Sequence, residues 1–482
     1  MRFPRMVFLI GLCGAGAALA QGTPPPATSP AQQRIDADEL RDVIRANGVA
    51  TDKLTPRVEQ GRVTLTGEVP SYDDKLRAEE AVSRIRGVTA VKNELVVAGG
   101  AVPDETLQAN VQRALKSDPA TDEYQVTVAV NDGVARLSGS VDSFQEKLLA
   151  ARIAGRVDGV RDVENEVTVR EPARRDDAAL TADVEQRLRY DNRLQDDRVK
   201  VGAAAGKVVL WGEVNSLFDK AAAVVHAYAA GARDVDAEGL SVERVEEDRS
   251  QTASGQGTDL KSEAITKAIE VALSADPRVK GQNVVVVVND GVATLTGTVD
   301  NLPAKQAALD NARAVIGVQR AVDRLQVKAT KIGDATIKAA MTRSILDEPG
   351  LEEGEVTASV SKGRVTLRGR VDSVDERRRA VDAASAIAGV IALDERIEIE
   401  RTAATKTDDE LETSIERQIF WSPYVDANQV DVSVSDGVAR LTGDVDSWFE
   451  KEQAEENAMQ AGAFRVDNRL RVAPGAGPPA TP

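Results

Sequence analysis

Apolar residues recur along this chain in two rhythms, and the alternation between the rhythms is itself repeated. The first is helical. Leu107, Val111 and Leu115 stand at i, i+4 and i+8, as do Leu180, Val184 and Leu188; Ile265, Ile269 and Leu273; Ile337, Met341 and Ile345; and Leu411, Ile415 and Ile419. Such stripes predict amphipathic helices. An earlier, shorter stripe has Leu40 and Ile44 before "ANG". The second rhythm has period two, the mark of a half-buried strand. It appears in "NDGVARLSGSVD" at 131–142, "NDGVATLTGTVD" at 289–300 and "SDGVARLTGDVD" at 435–446.

Reduced to G-x-x-x-L-x-G-x-V, the strand phrase occurs six times, with its second glycine at Gly67, Gly139, Gly212, Gly297, Gly369 and Gly443. Successive copies lie 72, 73, 85, 72 and 74 residues apart, so each repeat is long enough to be a small domain. After the phrase, five copies carry a serine with an acidic residue three positions on: Ser71/Asp74, Ser143/Glu146, Ser216/Asp219, Ser373/Glu376 and Ser447/Glu450. This capping-box pattern starts a second helix; the fourth copy has Asn301 and Pro303 instead. That helix is expected to stop at Gly87, Gly159, Gly231, Gly317, Gly389 and Gly462, before a last alternating strand such as "VENEVTV". The predicted unit is therefore helix, strand, strand, helix, strand: an α+β array of six small domains, each a three-stranded mixed sheet packed by two helices.

The units are expected at 35–98, 102–170, 176–245, 259–329, 334–400 and 407–473. The polar stretch "EEDRSQTASGQGTD" accounts for the 85-residue spacing and reads as a flexible linker at 246–258. Pro-rich segments at 21–34 and 474–482 read as disordered.

The repeated glycines read as scaffold. "NDG" signals a tight hairpin turn needing positive φ. The second glycine shares a face with Leu295 and Val299, so it is expected to let a helix approach the sheet closely. "GAAAGKV", from Gly202 to Val208, resembles a phosphate-binding loop, but the glycine spacing is one short and Val208 replaces the required hydroxyl residue.

Composition narrows the function. The opening "MRFPRMVFLIGLCGAGAALAQG" has two arginines, an apolar run and Ala18-Leu19-Ala20 before Gln21, an export signal at 1–20 cleaved after Ala20. Cys13 follows Leu12, whereas a lipoprotein signal requires a small residue just before its cysteine. Cleavage would leave no cysteine, compatible with a periplasm but not with a disulfide-stapled fold. The chain then carries 59 basic and 78 acidic residues, a balance that repels nucleic acid. No later stretch has the apolar length of a transmembrane helix.

The phrase V-x-V-x-N-D-G-x-V/A-x-L-x-G-x-V, with a capped helix ending in G-V before V-x-N-x-L-x-V, resembles the BON domain family over roughly residues 35–473. The second, fourth and sixth copies match best, while the third diverges at Ala232 and "DAEGLSV". The resemblance implies a compact two-helix, three-stranded fold in bacterial envelope proteins. It implies a role in binding phospholipid or other envelope components, links to osmotic stress, and brings no catalytic residues.

The chemistry within reach is correspondingly limited. His226 is the only histidine and, placed in register with Ala154, Ala312 and Ala384, it reads as a helix-packing residue. One histidine and no mature cysteine leave no Cys/His metal cluster, and a Ser/His/Asp triad would rest on His226 alone, so neither metal nor cofactor is expected and the protein reads as non-enzymatic. Comparison between copies singles out two surface features. In the sixth, Phe420, Trp421, Tyr424 and Phe449 occupy positions that are mostly polar elsewhere, which predicts an exposed apolar patch suited to a membrane interface, unless neighbouring domains bury it. In the fifth, Arg364, Arg368 and Arg370 share the outward strand face, where phospholipid headgroups or an acidic neighbour would pair with them. The expected partners are a phospholipid membrane surface or envelope proteins, met in the periplasm by weak peripheral binding. The competing expectation is a protein-binding scaffold or holdase that needs no lipid.

Overall fold

The computed structural model describes residues 36–98, 102–118, 121, 125–170, 175–194, 198–242, 262–328, 332–346, 351, 355–371, 374–399, 406–422, 424–445 and 447–472. The expected signal peptide, the 246–258 linker and both Pro-rich ends lie outside the described residues.

Six α-β-β-α-β units follow one another. The first comprises α1 (Ala37–Ala46), β1 (Leu54–Glu59), β2 (Arg62–Val69), α2 (Tyr72–Ser83) and β3 (Ala90–Val97). The second comprises α3 (Asp104–Ser117), β4 (Gln125–Asn131), β5 (Val134–Val141), α4 (Phe144–Gly155) and a last strand in two pieces, β6 (Asp162–Asn165) and β7 (Thr168–Val169). The third comprises α5 (Asp177–Arg189), β8 (Val199–Ala204), β9 (Lys207–Val214), α6 (Leu217–Ala229) and β10 (Asp234–Val242). The fourth comprises α7 (Ser262–Ala275), β11 (Asn283–Asn289), β12 (Val292–Val299), α8 (Leu302–Arg313) and β13 (Arg320–Val327). The fifth comprises α9 (Asp334–Leu346), β14 (Val356–Ser361), β15 (Arg364–Val371), α10 (Val374–Ser385) and β16 (Ala392–Ile399). The sixth comprises α11 (Asp408–Trp421), β17 (Val430–Ser435), β18 (Val438–Val445), α12 (Trp448–Gln460), β19 (Arg465–Asn468) and β20 (Arg471–Val472).

In each unit the second strand is central, antiparallel to the first and parallel to the third. The hairpin turn is tight because two consecutive residues adopt positive φ, as at Asp290 (48°) and Gly291 (72°), the geometry that matches strand twist. The helical stripes are buried as their spacing requires: Leu107, Val111, Ile269 and Ile415 are fully covered. Ser71, Ser143, Ser216 and Ser447 each accept a hydrogen bond from the amide three residues on, and Asn301 does the same with Ala304. Ser373 lies outside the described residues.

The strand glycine is scaffold for a different reason from the one its face suggests. Gly297 has φ +125°, and a Cβ there would collide with the carbonyl oxygen of Asn283 on the neighbouring β11, not with a helix. Gly369 meets Glu355 in the same way. The glycine therefore lets the hairpin strands cross at close range in a backbone conformation that side chains disfavour.

The units pack on one another through repeated contacts. Tyr72 of the first lies against the core of the second, and Leu302, at the matching place in the fourth, lies against the core of the fifth. Phe144 of the second stacks on Tyr228 of the third, with ring centroids 4.2 Å apart. Tyr190 of the third packs on the fourth unit's core, and Trp421, its counterpart in the sixth, packs on that of the first. Backbone bonds repeat the correspondence: Ile316 N–H donates to Tyr190 O (3.0 Å), and Arg86 N–H donates to Trp421 O (3.3 Å). Units one to three and four to six thus form two similar halves whose ends close on each other.

Candidate functional site

The arginine face of the fifth unit is presented by β15. Alternation buries Val365, Leu367 and Val371 and turns Arg364, Arg368 and Arg370 to solvent. Parallel pairing with β16 sets Arg368 opposite Arg396 and Arg370 opposite Glu398. Arg370 reaches Glu398 at 3.6 Å, and Arg396 pairs with Asp394 at 2.8 Å. Arg368 makes no ion pair among the described residues. Arg368, Gly369, Arg370, Arg396 and Glu398 line a shallow depression of about 380 Å³. Like charges directly opposite in a sheet repel, and a bound anion would relieve that repulsion.

The four aromatics of the sixth unit do not form an exposed patch. Trp421 is 6% exposed, sealed against the first unit's core. Phe420 packs there edge-to-face with it at 4.9 Å. Tyr424 turns to the third unit, where its hydroxyl lies 3.2 Å from Asp219, and Phe449 is half-buried against the Tyr424 ring at 5.4 Å. Neighbouring domains take up the surface that an isolated sixth unit would have offered to a membrane.

Tyr424 belongs to a buried polar cluster. Asp191 is 5% exposed and Asp219 is fully covered. Arg193 donates to Asp191 through Nε at 2.8 Å, and His226 Nε2 lies 2.7 Å from the other carboxylate oxygen. A carboxylate only accepts hydrogen bonds, so Nε2 carries the proton. Burial alone would raise the Asp191 carboxyl, but the Arg193 charge and the bonds from Arg193 and His226 outweigh it and hold Asp191 far below the usual carboxylate range. Burial pushes Asp219 up to about 7 and is opposed by the Ser216 hydroxyl, the Arg193 charge and the Tyr424 hydroxyl. Tyr424 is itself pushed well above an ordinary phenol by burial and by Asp219. His226 is therefore more than a packing residue, and its register differs from the expected alignment with Ala312. In the fourth unit the same place holds Asn311, which donates to Asp276 at 2.8 Å while Arg278 pairs with the same carboxylate. The Asp-x-Arg shared by Asp191/Arg193 and Asp276/Arg278 was the signal available in the sequence. No triad forms here, because the Ser216 hydroxyl is committed to Asp219 at 2.9 Å.

A sequence model of the BON domain matches six segments, at residues 34–99, 103–171, 176–243, 261–329, 333–401 and 407–474. The chain belongs to the BON domain family. Among curated relatives it is 29% identical over 132 residues to osmotically-inducible protein Y of Escherichia coli K12, covering 26% of this chain and 66% of that protein. It is 31% identical over 142 residues to the outer membrane lipoprotein DolP of Haemophilus influenzae, covering 28% of this chain and 74% of that protein.

Four of the six BON units share a further device that sequence reasoning passed over. Asp104 accepts hydrogen bonds from the turn amides of Asp132 and Gly133 (2.8 and 3.0 Å). Asp177, Asp334 and Asp408 hold the corresponding turns. Each aspartate opens the first helix of its BON domain and ties it to the hairpin, and in Asp334 the two amide bonds lower the carboxyl pKa. No group of residues suited to a metal ion occurs among the described residues, and no described helix is long and apolar enough to cross a membrane.

Proposed function

We propose that this protein is an exported, non-enzymatic binding protein of the bacterial periplasm, serving the envelope under osmotic or envelope stress, and that it docks on anionic phospholipid through its fifth BON domain. The observation that carries the reading is the register of Arg368 opposite Arg396, beside Arg364, on an exposed face of an otherwise acidic protein. A phosphate placed between the two guanidinium groups would accept from both and remove their repulsion. Each arginine brought to an anionic surface contributes about 1 kcal/mol, so the attachment is weak, salt-sensitive and peripheral. The relatives named for the outer membrane and for osmotic induction support the envelope setting. The aromatics take no direct part here: Trp421 and Tyr424 hold neighbouring domains together, so the lipid contact is electrostatic and not an insertion.

Co-sedimentation with vesicles of anionic or zwitterionic lipid tests this. Binding is expected only with anionic vesicles, falling as salt rises, and weakened at least tenfold in Arg368→Glu/Arg396→Glu. Equal binding by that variant, or none by the native protein, would remove the arginine face from the function. A second reading, a protein-binding scaffold or holdase, is favoured by Trp211 and Val209, which stand 44% and 37% exposed on the outward face of the third domain. Suppression of client aggregation without lipid, lost in Trp211→Ser, would support it.

A further inference from the structure

We propose that β11 of the fourth BON domain is a self-association edge, through which two copies of this chain pair antiparallel into one continuous six-stranded sheet. In every domain the first strand is a sheet edge, and in five of the six the outward side chains are charged, polar or small. Thr55 and Arg57, Lys200, Thr357 and Ser359, and Asp431 and Ser433 point outward from β1, β8, β14 and β17; β4 presents Thr127 and Ala129. In β11 the outward residues are Val285 and Val287, 53% and 50% exposed. A long, flat, apolar edge is a template for another strand.

The occupant is identified by the strand itself. Residues Asn283 to Asn289 read "NVVVVVN", the same in both directions about Val286. A two-fold axis through Val286 therefore sets Val285 of one copy beside Val287 of the other and matches the two asparagine ends. Hydrogen-bonding phase agrees. Asn289 pairs with Val292 across the two-residue turn, so its groups face β12, and by alternation those of Val286 and Val288 face outward. The Val284 amide already bonds Gln282 O, which leaves about four backbone bonds across the symmetric pair. The strand is uncharged, with Lys280 before it and Asp290 after it. Antiparallel pairing brings each Asp290 to the other copy's Lys280 end.

The first domain supplies the control. Pro56 faces Leu65 in β1 as Val286 faces Leu295 in β11, and Pro56 is buried. Proline at this register is thus compatible with the fold while it removes the amide an incoming strand would use.

Sedimentation velocity of the mature chain, from Gln21 on, over about 1 to about 300 µM provides the test. One strand per copy is a small interface, so the expected dissociation constant is on the order of ten to a hundred micromolar. The mass should rise from that of one mature chain toward twice that value. Val286→Pro and Val285→Lys/Val287→Lys should each weaken association at least tenfold, with native circular dichroism. If Val286→Pro fails to fold, the surface double variant alone decides. Register is read in the mature chain, which has no cysteine of its own: mixing Val285→Cys with Val287→Cys protein should give a disulfide heterodimer, and neither alone should cross-link as well. A native protein that stays monomeric, or variants that associate equally, would overturn the proposal.

Discussion

Trp421→Ala probes the closure of the two halves. Trp421 is 6% exposed and belongs to the first domain's hydrophobic cluster with Leu40, Ile44 and Leu217, whereas the sixth domain's own core is built from Leu411, Ile415, Ile419 and their neighbours. An indole buries about 200 Å² or more, which at about 25 cal/mol per Å² corresponds to roughly 5 kcal/mol. Tryptophan-to-alanine truncations in cores cost about 3–5 kcal/mol. Because the indole seals a joint between domains, the loss should fall mainly on the contact and leave the sixth domain folded. A loss of that size shifts the closed-to-open ratio by about a hundredfold or more. Hydrogen exchange at the Arg86 amide, which donates to Trp421 O, should accelerate accordingly. Small-angle scattering should show a larger radius of gyration with unchanged far-ultraviolet dichroism. Native Arg86 protection and an unchanged radius would refute the idea that this residue closes the assembly; loss of the sixth domain's helical signal would place the indole in that domain's own core.

The buried cluster predicts a pH dependence with a definite sign. Burial raises Asp219 from 3.8 to about 7, so the folded state holds a proton that the unfolded state has lost. Stability therefore falls as pH rises from about 4 to about 7 and levels off above, by at most about 4 kcal/mol for a shift of about three units. Asp191 is shifted downward, and its contribution is lost only at the acid end. Urea midpoints at pH 5 and pH 8 should differ in the native protein and differ less in Asp219→Asn; an equal difference in both would refute the assignment. Gly297→Ala should lower the fourth domain's stability by at least about 2 kcal/mol, since it combines a φ of +125° with a collision at Asn283 O. Calorimetry should show the loss, and a native melting profile would contradict it.

Sequence alone determined the units. The helical stripes, the period-two phrase, the turn glycines and the serine caps are local signals: each depends on residues within a few positions, and six copies confirm one another. The BON resemblance and the alternation that turns Arg364, Arg368 and Arg370 outward were legible for the same reason, because a strand's faces follow from counting. Tertiary structure decided what local pattern does not encode. An aromatic at a polar register reads the same whether it faces solvent or a neighbour, and only the closure of the sixth domain on the first put Trp421 out of water. The His226–Asp191 pair joins residues from different elements of a domain whose spacing diverges, so an error of one residue was enough to hide it. The strand glycine was recognised as scaffold from its face, but the collision that requires it involves the backbone of the paired strand, which periodicity does not show. Local chemistry thus set what each domain is, while packing between domains set which of its surfaces remain available to anything else.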